Sequence, residues 1–261
     1  MNRLDAVLWD VDGVLAETER DGHRVAFNLA FEAAGLPWRW DERRYRELLG
    51  VSGGRERLLA DMATRADAPA TARDRVGLAR LLHASKNGFY AQRIALGAVA
   101  LRGGVLDLMA DCRSGGVRMG IASTTSRANA EALLRHHLGT AWQRLFAVIV
   151  CGEDVRRKKP DPEVYLQALR QLGAGPLRVV AIEDAPAGVA AARAAGVPVL
   201  VTRSACVPAV DAGDAIAIGP GLHDRRGWRP ALPWDGRSPL RVCLDDVEGW
   251  YDGVENGAAR A

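Results

Sequence analysis

The sequence lacks the features that mark membrane, secreted and disulfide-bonded proteins. No apolar run approaches the roughly 18 residues that a transmembrane helix needs. Charged residues interrupt the amino terminus at Arg3, Asp5, Asp10 and Asp12, which excludes the continuous apolar stretch of a secretory signal. The four cysteines stand at least 37 residues apart, without the close pairs of zinc knuckles or redox dithiols. These absences favour a cytoplasmic protein with reduced thiols.

The sequence also has little excess charge of either sign. Its 35 basic and 32 acidic side chains leave a formal charge of +3, which over 261 residues indicates neither a nucleic-acid partner nor a membrane partner. Hydrophobic residues make up 48% and charged residues 26%, as in ordinary globular domains. We therefore expect a folded site for a small molecule.

Short apolar runs alternate with helical patterns over most of the chain. The predicted strands are 4–11, 117–122, 146–150, 178–182, 197–202 and 215–218. This alternation predicts an α/β fold, a doubly wound parallel sheet of Rossmann-like type. About a hundred residues without a strand pattern separate the first two runs, too many for one crossover helix. We therefore predict a core of residues 1–14 and 99–220, interrupted by a helical domain at 15–98.

The chain changes character after residue 220. Glycine and proline recur there among Trp228, Trp234 and Trp250. We interpret residues 221–261 as an irregular tail that packs on the core through its tryptophans.

The segment Asp10-Val11-Asp12-Gly13 places two carboxylates at the end of the first predicted strand. Alternate residues of a strand face the same side, so both acids project at the edge where open α/β sheets bind ligands. Two close carboxylates repel, so the pair needs a bound cation or a proton. The alternative is an ordinary Asp-Gly turn after a strand. The later motifs decide between a functional carboxylate pair and such a turn.

Three later segments place polar groups at the same predicted edge of the sheet. They are Ser123-Thr124-Thr125-Ser126, Lys159 and Glu183-Asp184. The hydroxyl run precedes a helix start, which suits either phosphate binding or simple helix capping. The lysine lies in a loop, where a solvated side chain is the alternative. The acidic pair ends a strand, and oxygen ligands of this kind suit Mg²⁺.

Taken in order, these motifs resemble the four motifs of the haloacid-dehalogenase-like hydrolase superfamily. The helical insertion is similar to the cap of the subfamily that contains sugar-phosphate phosphatases and β-phosphoglucomutase. Residues 13–19, 50–57 and 121–127 resemble its CbbY-like branch, which is similar to xylulose-1,5-bisphosphate phosphatases. The resemblance covers roughly residues 1–220.

The resemblance implies a Mg²⁺-dependent phosphatase that works through an aspartyl phosphate. Asp10 would be the nucleophile and Asp12 the general acid and base. Ser123 and Lys159 would hold phosphoryl oxygens. The implied metal ligands are Asp10, the backbone carbonyl of Asp12, Asp184 and, through water, Glu183.

The resemblance and the residue types together suggest a substrate with two phosphates, which we expect to be xylulose 1,5-bisphosphate. Arginine and lysine suit the second phosphate, although a solvated helix face is the alternative for each. The candidate substrate-binding residues are Glu17, Tyr45, Arg46, Gly53, Gly54, Arg55, Lys86, Ser123, Thr124 and Thr125. A phosphosugar mutase and a non-catalytic sugar-phosphate sensor remain open as alternatives.

Two features depart from the family pattern. His23 lies one residue further from Thr18 than the cap histidine of β-phosphoglucomutase, which argues against a mutase role for it. The stretch Leu101-Arg102-Gly103-Gly104-Val105 replaces the Leu-Arg-Pro-Gly-Val of many relatives.

Overall fold

The computed structural model describes residues 4–173, 175, 178–207, 215–233 and 239–258. Its centre is a six-stranded sheet in the order β3-β2-β1-β4-β5-β6, in which every pairing is parallel. The strands are β1 Ala6–Trp9, β2 Arg118–Ala122, β3 Val148–Val150, β4 Val179–Glu183, β5 Val199–Thr202 and β6 Ala217–Gly219. Each lies at a predicted strand, and the predicted fold class is confirmed.

Strand β1 lies at the centre of the sheet and is buried on both faces. Val7 and Trp9 belong to one hydrophobic cluster, and Ala6 and Leu8 belong to the other. This division arises because helices cover both sides of the sheet, as a doubly wound fold requires. The strand order reverses at β1, because β2 and β3 lie on one side of it and β4, β5 and β6 on the other. Such a reversal forms a crevice at the carboxyl ends of β1 and its neighbours.

Helices of the core lie between the strands. They are α5 Val105–Ser114, α6 Arg127–Leu138, α7 Glu163–Leu172 and α8 Pro186–Ala194. Ser126 caps α6, because its hydroxyl accepts a hydrogen bond from the Asn129 N–H at 3.3 Å. The capping interpretation therefore accounts for Ser126.

The inserted segment is helical and has an apolar cluster of its own. It contains a π-helical turn at Glu19–His23, then α1 Arg24–Ala33, α2 Glu42–Leu48, α3 Gly54–Met62 and α4 Ala72–Ala95. Aromatic residues dominate its centre, where Phe27 and Phe31 pack against Trp40. We call this helical segment the cap. The two linkers that join it to the core meet in an antiparallel bridge between Ala16 and Leu101.

The tail differs from the irregular structure that its composition predicts. Leu244–Ala258 forms helix α9, which contacts α5. Trp228 and Trp250 stack with 4.7 Å between their ring centroids and belong to the main hydrophobic cluster. Trp234 lies outside the described residues. The glycines and prolines before α9 obscured a helical spacing of apolar residues that begins at Leu244.

The Gly103-Gly104 pair has a structural explanation in the position of the tail. Gly104 adopts a φ of +84°, and a Cβ there would overlap the backbone of Leu222. A Cβ on Gly103 would lie 2.9 Å from Cβ of His223. Small residues are therefore needed where the tail crosses the second linker. In the described part of the chain, no helix combines the length and apolar character that crossing a bilayer requires.

Candidate active site

The carboxyl ends of three strands bring a lysine and two carboxylates into contact. Lys159, from the loop before α7, places Nζ 2.6 Å from Asp10 Oδ1 and 2.7 Å from Glu183 Oε1. The same Nζ donates to the Ala122 carbonyl at 2.9 Å. Because β1 and β4 pair in register up to Trp9, Asp10 and Glu183 lie next to each other at the carboxyl ends of these strands. The sequence motifs thus meet at one buried point.

Burial and mutual repulsion perturb the acids of this cluster. Burial raises the pKa of Asp10 to about 7, with Lys159 opposing the shift and Glu183 adding to it. Burial also raises the pKa of Asp184 well above its ordinary value, and Asp10 adds to that shift. Burial alone would lower the pKa of Lys159, but the two carboxylates outweigh it and raise that pKa. The site therefore holds more acids than one lysine neutralises.

The arrangement of carboxylates fits a hard divalent cation. Asp10, Glu183 and Asp184 are buried, and their ligand oxygens lie within 4.8 Å of one another. Gly13 has a φ of +79°, and a Cβ there would collide with the Asp184 carboxylate, so glycine leaves room for that group. Mg²⁺ prefers oxygen ligands of this kind, and these three residues would hold it.

Asp12 is hydrogen-bonded by residues at the start of the cap. Its Oδ1 accepts hydrogen bonds from Thr18 Oγ1 at 2.6 Å and from His23 Nε2 at 3.0 Å. Burial alone would raise the pKa of Asp12, but His23 and Thr18 outweigh it and lower that pKa below its ordinary value. His23 stacks on Tyr90 with 4.3 Å between the ring centroids. The cap thus orients the second aspartate.

Two adjoining cavities lie between the core and the cap. The first, which we call the reaction cavity, has a volume of about 680 Å³ and contains both aspartates of the first motif. Its polar lining comprises Asp10, Asp12, Glu19, Arg46, Ser52, Arg57, Ser123, Thr124, Lys159, Glu183, Asp184 and Cys206. The second, which we call the basic cavity, has a volume of about 580 Å³. Its basic lining comprises His23, Arg55, Arg57, His83, Lys86, Arg156 and Lys158.

The hydroxyl run lies at the junction of the two cavities. Ser123 is buried, and its Oγ accepts a hydrogen bond from the Thr125 N–H at 3.2 Å. Ser123 lines the reaction cavity, Thr125 lines the basic cavity and Thr124 lines both. Ser52 and Gly53 of the cap also line both. A ligand that spans the cavities would therefore pass between these loops.

Tyr45 does not itself line the reaction cavity, but it hydrogen-bonds to two side chains of the cap that do. The hydroxyl of Tyr45 donates a short hydrogen bond to Glu19 and accepts one from Arg57 Nη1 at 2.9 Å. Glu19 and Arg57 line the reaction cavity, together with Arg46. Sequence reasoning selected Tyr45 and Arg46 but missed Glu19 and Arg57, although both lie within the stretches that resemble the family.

The other cap candidates divide between the basic cavity and the linker. Gly53, Gly54, Arg55 and Lys86 line the basic cavity, with Lys86 buried and the Arg55 side chain 55% exposed. Glu17 points elsewhere: its carboxylate lies 3.3 Å from Arg102 Nε and accepts the Ala205 N–H at 3.1 Å. Contacts in the linker therefore hold the Glu17 side chain, whereas Glu19, two residues later, lines the reaction cavity.

Comparisons with known proteins agree with this geometry. A family model for haloacid dehalogenase-like hydrolases matches residues 4–196. Protein CbbY of Rhodobacter capsulatus is 43% identical over 201 residues, which cover 77% of this chain and 86% of that protein. The plasmid-encoded CbbY of Cupriavidus necator is 39% identical and covers 96% of this chain and 98% of that protein.

A comparison with a solved structure shows that the similarity extends to the fold. It is a mutant CbbY from Rhodobacter sphaeroides in complex with xylulose-1,5-bisphosphate, with a TM-score of 0.79 and 36% identity. The match covers 86% of this chain and 97% of that one. The chain therefore belongs to the haloacid dehalogenase-like hydrolases, in their CbbY-like branch.

Proposed function

We propose that this protein is a Mg²⁺-dependent sugar-phosphate phosphatase, with Asp10 as nucleophile and xylulose 1,5-bisphosphate as substrate. The observation that carries the proposal is the buried contact of Asp10 with Lys159, in a cavity that also contains Asp12, Glu183 and Asp184. Similarity to the CbbY complex with that bisphosphate supports the choice of substrate.

The chemistry follows from the roles of two aspartates. An Asp10 carboxylate oxygen bonds to phosphorus while the bond from phosphorus to the sugar oxygen breaks, and Asp12, which must enter this step in its protonated form, gives that oxygen its proton. Asp12 then removes a proton from water, the water oxygen attacks phosphorus, and phosphate leaves with Asp10 restored. Lys159 and Ser123 hold phosphoryl oxygens. Bound Mg²⁺ would offset the negative charge shared by phosphate and carboxylates.

The paired cavities support a substrate with a phosphate at each end. The reacting phosphate lies in the reaction cavity, and the sugar passes between the cap and the hydroxyl run. The distal phosphate enters the basic cavity, where Lys86 and Arg55 supply positive charge. Glu19 and Arg57 line the reaction cavity from the cap, where they would hydrogen-bond to the sugar hydroxyls. Arg46, in the reaction cavity, offsets the negative charge of the reacting phosphate.

Phosphate release from xylulose 1,5-bisphosphate with Mg²⁺ tests the proposal. Asp10→Asn should lower kcat by several orders of magnitude, because an amide cannot form the acyl phosphate. Asp5→Asn is the matched control, since Asp5 precedes β1 at the opposite end and pairs with Arg178. Retention of a tenth of wild-type activity by Asp10→Asn would refute the assigned nucleophile.

One contact favours a mutase as the second candidate. His23 approaches Asp12 from the cap at 3.0 Å despite its displaced position in sequence, so a cap histidine is available to the acid. A mutase returns the phosphoryl group to a sugar hydroxyl, whereas a phosphatase releases it to water. Incubation with a hexose 1-phosphate and a catalytic amount of bisphosphate separates the two: isomer without phosphate indicates a mutase, and stoichiometric phosphate a phosphatase.

A further inference from the structure

The side chain of Arg102, in the second cap linker, joins parts of the chain that are distant in sequence. Its Nη1 donates a short hydrogen bond to the Gly13 carbonyl and a 3.1 Å bond to Thr202 Oγ1. Its Nη2 donates to the Arg203 carbonyl at 2.5 Å and to the Pro220 carbonyl at 3.2 Å. Only 12% of the side chain is exposed. The guanidinium thus ties one linker to the ends of two strands.

The same arginine also holds the first cap linker at three points. Besides the Gly13 carbonyl, its Nε lies 3.3 Å from Glu17 Oε1, and its backbone N–H donates to the Leu15 carbonyl at 2.8 Å. These points follow Asp12 directly and precede Thr18, which hydrogen-bonds to Asp12. Any movement of the first linker therefore changes where Asp12 lies relative to the core and the cap.

We propose that Arg102 is a positioning residue that fixes Asp12 by anchoring the first cap linker to the core. The inference rests on the proposed function and adds to it a residue that touches no substrate. A planar guanidinium with five N–H donors can serve this many acceptors, whereas a lysine ammonium is a single point with three donors. The anchor therefore requires arginine rather than positive charge alone.

Arg102→Lys is the informative variant, and Arg241→Lys is its matched control. Arg241 is half-buried and makes a bidentate ion pair with Asp111 at 2.6 and 3.0 Å, and its partners Asp107, Asp111 and Val242 all lie outside residues 13–18. Either substitution removes a guanidinium that makes contacts in the core. Of the two arginines, only Arg102 holds the first cap linker, which follows Asp12. Thr202→Val, which removes one acceptor of Arg102 and keeps the side-chain shape, serves as the milder variant if Arg102→Lys fails to fold.

Kinetics on two substrates separate positioning from simple stabilisation. Misplacing a catalytic group by about 1 Å can lower a rate about 100-fold. We expect Arg102→Lys to lower kcat for xylulose 1,5-bisphosphate by about 10- to 100-fold, with KM changed by less than about threefold. In single-turnover release of p-nitrophenol from p-nitrophenyl phosphate, which needs no proton from Asp12 and precedes the hydrolysis step, the rate should fall by less than about threefold. Arg241→Lys should match the wild type on both. Equal losses on both substrates would overturn the inference.

Hydrogen–deuterium exchange gives a readout that does not depend on the substrate. Amides of residues 13–18 should exchange at least about fivefold faster in Arg102→Lys, and at the wild-type rate in Arg241→Lys. Unchanged exchange in the folded Arg102→Lys protein would also overturn the inference. If the wild type hydrolyses no sugar phosphate, the proposed function fails, while the exchange comparison still decides whether Arg102 anchors the linker.

Discussion

We predict that replacing Lys86 makes the protein more stable but less active on a bisphosphate. The side chain is buried in α4 and lines the basic cavity. Its Nζ lies 5.2 Å from the ring centroids of both Phe27 and Tyr90, and its hydrogen bond to Asn87 Oδ1 is long, at 3.5 Å. Burial lowers the pKa of Lys86 from 10.5 to about 8. Folding therefore disfavours the charge that a phosphate would stabilise.

The size of the effect follows from that pKa. A tenfold change in a protonation equilibrium is worth about 1.4 kcal/mol, so the lowered pKa corresponds to about 3 kcal/mol of lost stability at pH 7. Loss of the two cation–π contacts would offset about 1–2 kcal/mol of this. Lys86→Met should therefore raise the free energy of unfolding by about 1–2 kcal/mol at pH 7.

The pH dependence has a definite sign. Between pH 8 and 10.5 the unfolded chain binds more protons at this lysine than the folded chain, so wild-type stability rises relative to Lys86→Met. The advantage of the variant should thus shrink as the pH increases from 8 to 10. The kcat/KM of Lys86→Met for a bisphosphate should fall at least about tenfold, because the variant loses a charge-assisted contact with the distal phosphate.

Urea unfolding followed by tryptophan fluorescence at pH 7 and pH 10 measures both stability effects. Arg80→Met, on the exposed face of the same helix, is the control and should change stability by less than about 0.5 kcal/mol at either pH. A Lys86→Met protein that is less stable than the wild type at pH 7, by an amount that stays constant to pH 10, would refute the reasoning.

Three further predictions concern the two cavities. Asp12→Asn should lower the single-turnover rate of Asp10 phosphorylation by a sugar phosphate at least about 100-fold more than by p-nitrophenyl phosphate, because only the sugar oxygen needs a proton, and equal losses in that step would make Asp12 structural. EDTA should abolish phosphate release and added Mg²⁺ should restore it, because the crowded carboxylates need a cation; activity that persists in EDTA would contradict this. Arg55→Ala should lower kcat/KM for a bisphosphate about tenfold and leave a monophosphate unaffected, whereas Arg43→Ala, 83% exposed on α2, should change neither; equal losses on both substrates would assign Arg55 a different role.

The sequence was sufficient to predict the sheet and the residues at its edge. Buried parallel strands read as short apolar runs, and each motif follows directly from such a run, so local patterns place Asp10, Ser123 and Glu183. Lys159 reaches the same point because its loop follows the carboxyl end of β3, at the same edge of the sheet. The alternating pattern indicates that the strands are parallel, so their carboxyl ends share one edge, whereas the strand order β3-β2-β1-β4-β5-β6 comes from the structure.

The cap contacts depend on geometry that local patterns do not contain. The π-helical turn at Glu19–His23 turns Glu19 towards the reaction cavity and His23 towards Asp12, and residue spacing alone does not predict such a turn. Arg57 meets Glu19 across 38 residues of sequence, and Arg102 meets Gly13 across 89. Such contacts follow from how the cap docks on the core, which is a tertiary property.

The ratio of kcat/KM values for xylulose 1,5-bisphosphate and xylulose 5-phosphate, measured by phosphate release with Mg²⁺, tests the central claim most directly. A contact with the distal phosphate is worth about 1.5–3 kcal/mol, so even one such contact should favour the bisphosphate about 10- to 100-fold. 2-Phosphoglycolate, measured alongside, should be no better than the monophosphate. An equal or higher kcat/KM for 2-phosphoglycolate or xylulose 5-phosphate would contradict the proposed substrate.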